Sequence, residues 1–149
     1  MQRIWAEQAL TPEGWRENTA VVIDAEGRIE RVTPGAPPEG HRVGALLPAP
    51  ANVHSHAFQR AMAGLTERRG PDPRDSFWTW RRLMYRFLDQ IGPEEAEAIA
   101  ALAQVEMLEA GFAASGEFHY LHHRVDGGFY DDPAEMSAAM IRAAQTSGI

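Results

Sequence analysis

Asn52-Val53-His54-Ser55-His56-Ala57-Phe58-Gln59-Arg60 closes a short apolar stretch that runs from Ala45 to Val53. If that stretch is a strand, positions i and i+2 project to the same side. Both imidazoles can then reach one metal ion, and neutral imidazole suits zinc and its neighbours. The alternative is two histidines on one face of a solvent-exposed strand. The residues on either side tip the reading towards a metal site.

Upstream, Val21-Val22-Ile23 and Arg28-Ile29-Glu30-Arg31-Val32 flank Asp24-Ala25-Glu26-Gly27, the signature of a hairpin. Residues 1 to about 47 therefore read as β-rich. Pro34 to Gly40 holds three prolines and two glycines and reads as a loop. His41 beside it reads as a solvated surface histidine.

Downstream the period becomes helical. Asp72-Pro73-Arg74-Asp75 opens one helix, with Phe77, Trp80, Met84, Phe87 and Ile91 on its face. Gly92-Pro93-Glu94-Glu95 opens the next, with Ala96, Ile99, Ala103, Met107 and Ala110 on its face and Gly111 at its end. Phe112 to Phe118 is short, apolar and bounded by glycine, which suits a buried strand. A loop from about Leu121 to Asp131 follows. Asp132-Pro133-Ala134-Glu135 then supplies an N-cap, an N1 proline and an N3 glutamate for a last helix. Met136, Ala139, Met140, Ala143 and Ala144 mark its face, and Gly148 is its C′ residue. The chain ends where another strand is expected, which points to part of a longer protein.

Alternating apolar strands and helices imply a parallel sheet and an α/β fold. Both chemical clusters fall at C-terminal strand ends, the active ends of a (β/α)₈ barrel. Such a barrel needs ~250 residues, and two βα units cannot close one. An open doubly wound sheet has the same local topology. The glycine-rich turn usual after its first strand does not occur here.

The totals exclude several classes. The 149 residues are 44% hydrophobic and 23% charged, as in a globular domain. A net charge of −7 opposes nucleic-acid binding but not an anionic small molecule held by local arginine. The absence of cysteine rules out disulfides and thiolate metal sites and fits the cytoplasm. No segment has the ~18 apolar residues of a membrane span, and Met1 to Glu7 offers no signal-peptide core.

With the β-rich start and the Pro-rich approach, the His-x-His run resembles the entry motif of the amidohydrolase superfamily. Three separated blocks narrow the resemblance to the formimidoylglutamate deiminases of histidine degradation. They are His54 to Leu65, then Asp75-Ser76-Phe77-Trp78-Thr79-Trp80-Arg81 with Leu83-Met84-Tyr85, and Glu117-Phe118-His119-Tyr120 with His122-His123. One departure is Pro48-Ala49-Pro50-Ala51, where many superfamily members carry Pro-Gly.

The resemblance implies residues 1–47 as the β-rich segment of a composite β-sandwich, and 48–149 as the first βα units of an incomplete TIM-like barrel. It implies one divalent metal, zinc, held by His54 and His56, with a third histidine and an aspartate expected beyond Ile149. The general base is expected there too, so no catalytic residue is assigned within these 149 residues. The implied reaction is hydrolytic deamination of N-formimino-L-glutamate to N-formyl-L-glutamate and ammonia, in the full-length protein only. The expected partner is that small-molecule substrate, with neither nucleic acid nor membrane. A homodimer is allowed, since many barrels of this superfamily pair.

Three substrate-binding residues follow. The Gln59 amide can donate to and accept from a formimino group; the alternative is a polar cap at a helix start. Arg81 matches the family's Trp-Arg position and can bind a carboxylate through two N–H groups; the alternative is a solvated helix face, with Arg74, Arg82 and Arg86 nearby. Tyr120 is implied as a substrate-binding phenol, although alternation alone leaves open whether it and Phe118, or Glu117 and His119, face the barrel axis. Trp78 and Trp80 read as packing residues. His119, His122 and His123 read as surface histidines of a loop and not as a second metal site.

Rival readings remain. Nucleobase deaminases share the His-x-His run but usually lack the Phe-Gln-Arg continuation and the Phe-Trp-x-Trp helix. A non-catalytic remnant would expose apolar helix faces and strand edges. Nothing in the sequence recommends a purely structural module.

Overall fold

Thr11-Pro12-Glu13-Gly14 reverses the chain for the first time. Gly14 takes a positive φ of 95°, and the Thr11 hydroxyl donates to its carbonyl at 2.8 Å. The turn joins β1 (Gln2–Thr11) to β2 (Gly14–Ile23) as an antiparallel pair. The expected second hairpin follows, to β3 (Ile29–Thr33). Asp24 builds its turn by accepting the backbone N–H of Glu26 at 3.0 Å and of Arg28 at 2.8 Å. Residues 34–40 contain no strand, and β4 (His41–Leu46) then returns parallel to β1, giving the order β3-β2-β1-β4. Gly40 permits the return: its φ is 89°, and a Cβ there would lie 2.5 Å from the Arg3 carbonyl. Trp5 packs with Ala20 and Ala36 and donates from Nε1 to the Ala36 carbonyl at 2.9 Å, fastening the Pro-rich loop to the sheet. His41 is exposed.

The computed structural model describes residues 1–66, 70, 74 and 76–149. It divides into two units, Met1–Ala49 and Pro50–Ile149. The sheet above is the first unit, and the His-x-His run lies in the second.

The second unit contains β5 (Ala51–Ser55), a 3-10 turn (Ala57–Met62), α1 (Phe77–Leu88), α2 (Pro93–Glu109), β6 (Ala114–Glu117) and α3 (Glu135–Ser147). The two strands pair in parallel, as expected. One expectation fails: Ala45 to Val53 is not one strand. β4 ends at Leu46 and β5 begins at Ala51. Pro48 and Pro50 lack the N–H that a ladder needs and separate the two.

Two of the helices, α1 and α3, begin later than expected. The predicted opening of α1 at Asp72–Asp75 lies, apart from Arg74, outside the described residues. The N-cap of α1 is Ser76, whose N–H is accepted by the Thr79 hydroxyl at 2.9 Å. α2 starts as read, with Glu95 accepting the Gly92 N–H at 3.0 Å. The Asp132 side chain accepts the Ala134 N–H at 2.8 Å in a turn that precedes α3 instead of capping it directly. Gly148 ends α3 with a φ of 86°. β6 is shorter than Phe112 to Phe118, and it is not buried. Ala114 and Gly116 are exposed, because a sheet of two strands covers little of either face.

Phe58, Met62, Ile91, Ala96, Leu121 and Met136 form the main core, with Trp80, Met84, Phe87 and Leu88 packed against it. Ala57, Ala100, Ala103 and Ala143 form a second cluster. Arg142 ties α3 to Glu97 of α2 at 2.7 Å. Arg60 grips Glu106 of α2 through two bonds of 2.7 Å, holding the 3-10 turn on the helix. The hydrogen bond and charge of each partner raise the Arg60 pKa and lower that of Glu106. No described helix is long and apolar enough to cross a membrane.

Candidate metal centre and adjoining cleft

The two imidazoles converge. His54 Nε2 and His56 Nε2 lie 3.1 Å apart, with ring centroids 4.8 Å apart. Tetrahedral zinc at ~2.0–2.1 Å from each nitrogen would hold two ligands about 3.3 Å apart. The pair therefore fits one shared ion with little adjustment. His56 also has a fixed orientation. Its Nδ1–H donates to the Phe118 carbonyl at 2.8 Å, which leaves Nε2 as a bare lone pair facing His54. An outer hydrogen bond of this kind sets the tautomer of metal-binding histidines.

The backbone around the pair is irregular. Asn52 pairs with Ser115 and Ser55 with Glu117, so three steps along β5 oppose two along β6. This bulge takes the His54 N–H out of the ladder, and the Asn52 side chain accepts it at 3.1 Å. β6 then holds the segment after the strand at two points. Phe118 N–H donates to the Ser55 carbonyl at 2.9 Å, and Glu117 accepts the Ala57 N–H at 2.9 Å. Among the described residues no group of three or more His, Asp or Glu could hold a metal.

Beside the pair is a cleft of about 630 Å³, within the range of small-molecule sites. His56, Gln59, Arg81 and Tyr120 line it together, so one cavity collects one of the two ligand candidates and all three substrate-binding candidates. Phe58, Trp80, Met84 and Leu88 form apolar wall. Gln59 is the third residue of the 3-10 turn, within its first turn. Among the described residues its amide caps nothing and has no hydrogen-bond partner.

Arg81 is half-buried, and its guanidinium carbon lies 5.6 Å from the Trp78 ring centre and 5.1 Å from that of Tyr85. Its Nη2 donates to the Tyr85 hydroxyl at 2.8 Å. Among the described residues no carboxylate pairs with it, and no acidic side chain lines the cleft. Trp80 packs against the core as expected. Trp78 does not: it is 64% exposed and lies beside Arg81.

Strand alternation does not extend to Tyr120, because β6 ends at Glu117 and Tyr120 adopts φ 61°. That left-handed turn brings its ring to 4.8 Å from His56 and 4.6 Å from Phe118. The Phe118 and Tyr120 rings thus share the side of the histidine pair.

His122 and His123 are exposed, whereas His119 is partly buried. Its Nε2 lies 3.0 Å from Ser137 Oγ of α3, and its Nδ1 is buried without a partner. Burial lowers its pKa below the usual 6.5, and the charge of His122 lowers it further; the Leu121 backbone and Glu117 oppose the shift. The fold therefore favours neutral His119, while the unfolded chain takes up its proton near pH 6.5. Its contribution to stability is complete above that pH and is lost as pH falls towards the folded value. Urea midpoints measured between about pH 7 and pH 5 should fall with pH, and less steeply in His119→Gln; identical slopes would refute this assignment.

Asn52, Glu117 and the Phe118 carbonyl support the site without having been singled out as site residues in the sequence. A carbonyl has no sequence signal. An Asn two residues before a ligand, or a Glu at a strand end, could have been read as anchors.

The fold and the sequence have known counterparts. Residues 1–42 match the family model of the formimidoylglutamate deiminase HutF N-terminal domain. The formimidoylglutamate deiminase of Pseudomonas aeruginosa is 52% identical over 151 aligned residues, which cover 100% of this chain and 33% of that protein. The crystal structure of an amidohydrolase from Brucella melitensis superimposes with a TM-score of 0.93 at 48% identity, over 100% of this chain and 33% of that one. An adenosine deaminase from Xanthomonas campestris with bound zinc shares the fold at a TM-score of 0.72 and 18% identity, over 99% of this chain and 32% of that one. Along its whole length the chain is thus similar to a formimidoylglutamate deiminase and to an amidohydrolase, and it spans about a third of the length of each.

Proposed function

We propose that these 149 residues supply two metal ligands and part of the substrate cleft of a hydrolase that deaminates N-formimino-L-glutamate in histidine degradation. Water is added across the formimino C=N bond, ammonia leaves, and N-formyl-L-glutamate remains. The observation that carries this reading is the single cleft in which an imidazole ligand candidate, an amide, a phenol and a guanidinium meet. The 52% identity to a formimidoylglutamate deiminase supplies the substrate.

His54 and His56 would hold zinc, as the 3.1 Å spacing of their Nε2 atoms and the Phe118-fixed tautomer of His56 allow. A bound zinc ion supplies a nucleophile near neutral pH by lowering the pKa of water. Arg81 binds a substrate carboxylate through N–H groups that no acidic side chain among the described residues occupies. Gln59 faces the formimino group, and Tyr120 donates its phenol to the substrate. The apolar wall excludes water and strengthens these polar contacts. The remaining ligands and the general base lie outside the described residues.

In this reading β5 and β6 are the first parallel strands of a (β/α)₈ barrel and the first unit is part of a β-sandwich. The test is zinc-dependent ammonia release by the complete protein. Release from N-formimino-L-glutamate, lost on chelation and restored by zinc, is the expected result, with none from the 149-residue chain alone. Release from adenine or cytosine nucleosides instead would move the substrate to the nucleobase class. No metal affinity in either form would defeat the scheme.

A further inference from the structure

We propose that Tyr85 is a positioning residue that fixes the Arg81 guanidinium and leaves it open for a substrate carboxylate. This inference rests on the role given to Arg81 above. Trp78, Arg81 and Tyr85 fall at i, i+3 and i+7 of α1, one stripe of a helix. The Tyr85 hydroxyl accepts one N–H of the guanidinium at 2.8 Å, and the Trp78 and Tyr85 rings lie within cation–π reach of it.

The chemistry of this tether differs from an ordinary ion pair. An arginine four residues before a glutamate normally forms a salt bridge on a helix surface. Phe77–Leu88 contains Arg81, Arg82 and Arg86 but no Asp or Glu, and a phenol occupies the position four residues after Arg81. A neutral hydroxyl fixes the rotamer without cancelling the charge. It engages Nη2, leaving the other N–H groups of the fork for a ligand. Fixing the fork beforehand removes rotamer entropy that binding would otherwise cost. Tyr85 also lines the cleft, so the tether acts at its wall.

The test uses the complete protein with N-formimino-L-glutamate and its two monoamides. Tyr85→Phe keeps the ring and removes the hydroxyl. It is expected to raise KM for the substrate about fivefold, with the loss falling on KM rather than kcat. For the monoamide lacking the carboxylate that Arg81 binds, the same substitution should change nothing. Tyr85→Glu supplies an ion-pair partner at the same spacing and should raise KM more than Tyr85→Phe does, although it favours the helix. A merely structural Tyr85 would give the reverse order. Equal losses on all three substrates, or a Tyr85→Phe variant that matches the parent, would overturn the proposal. Arg81→Met separates the two readings. If it leaves KM unmoved, the role of Arg81 fails and the tether with it. If it raises KM while Tyr85→Phe does not, the tether alone fails.

Discussion

Replacing His56 by alanine is expected to remove zinc from the complete protein and ammonia release with it. His56 makes three contacts. Its Nε2 faces that of His54 at 3.1 Å, its Nδ1–H is fixed by the Phe118 carbonyl, and its ring packs 4.8 Å from Tyr120. Changing an outer hydrogen-bond partner of a ligand typically costs about 10–100-fold in metal affinity or activity. Loss of the ligand itself should exceed that. Stability should change little, within about 0.5 kcal/mol, because His56 is only half-buried and water can reach the carbonyl of exposed Phe118. Zinc content by atomic absorption, ammonia release and a thermal melt check the three parts. His41→Ala, on an exposed β4 residue, should leave all three unchanged. A His56→Ala protein that keeps stoichiometric zinc would remove the basis of the proposed function.

Much of the site was legible because its chemistry is local in sequence. The spacing of His54 and His56 already put two imidazoles on one side of a strand, and they converge. The backbone that orients them was not legible. Nothing in Asn52-Val53-His54 announces the bulge against β6. Its physical origin is a pairing with residues about sixty positions away. Tyr120 was expected beside the substrate, but its left-handed φ of 61° has no local signal, since bulky residues rarely adopt it. The partial burial of His119 had no local signal either: its ring meets Ser137 of α3, eighteen positions later in the chain. The fold followed a similar division. The Asp24–Gly27 hairpin, the Pro34–Gly40 loop, the start of α2 and the core face of α3 obey periodicity and cap chemistry, whereas α2 buries Ala100 and Gln104 and leaves Ala110 exposed. The strand break at Pro48 and Pro50 was in plain view, and the apolar content of Ala45–Val53 outweighed it wrongly.

Phe58→Ala is expected to have the largest effect on stability. Phe58 is 3% exposed and packs with Met62, Ile91, Ala96, Leu121 and Met136. Truncating a buried Phe typically costs about 3–5 kcal/mol, through lost transfer energy and the cavity left behind. A whole domain is stable by only about 5–15 kcal/mol. Phe58→Leu fills most of the space and should cost roughly 1–1.5 kcal/mol. Phe129→Ala, at 80% exposure, should stay within about 0.5 kcal/mol. The consequence for function follows from sequence position. Phe58 lies between His56 and Gln59, its ring is 6.2 Å from that of Tyr120, and it forms part of the cleft wall. The core therefore anchors the 3-10 turn that presents Gln59. In thermal melts of the complete protein the midpoint should fall in the order Phe129→Ala, Phe58→Leu, Phe58→Ala. Ammonia release at a temperature where each variant remains folded should fall in the same order. If Phe58→Ala melts with the parent, the hydrophobic cluster is not what holds this turn. If it loses stability but keeps full activity, the turn is positioned by the Arg60–Glu106 clamp and the Glu117 bond instead.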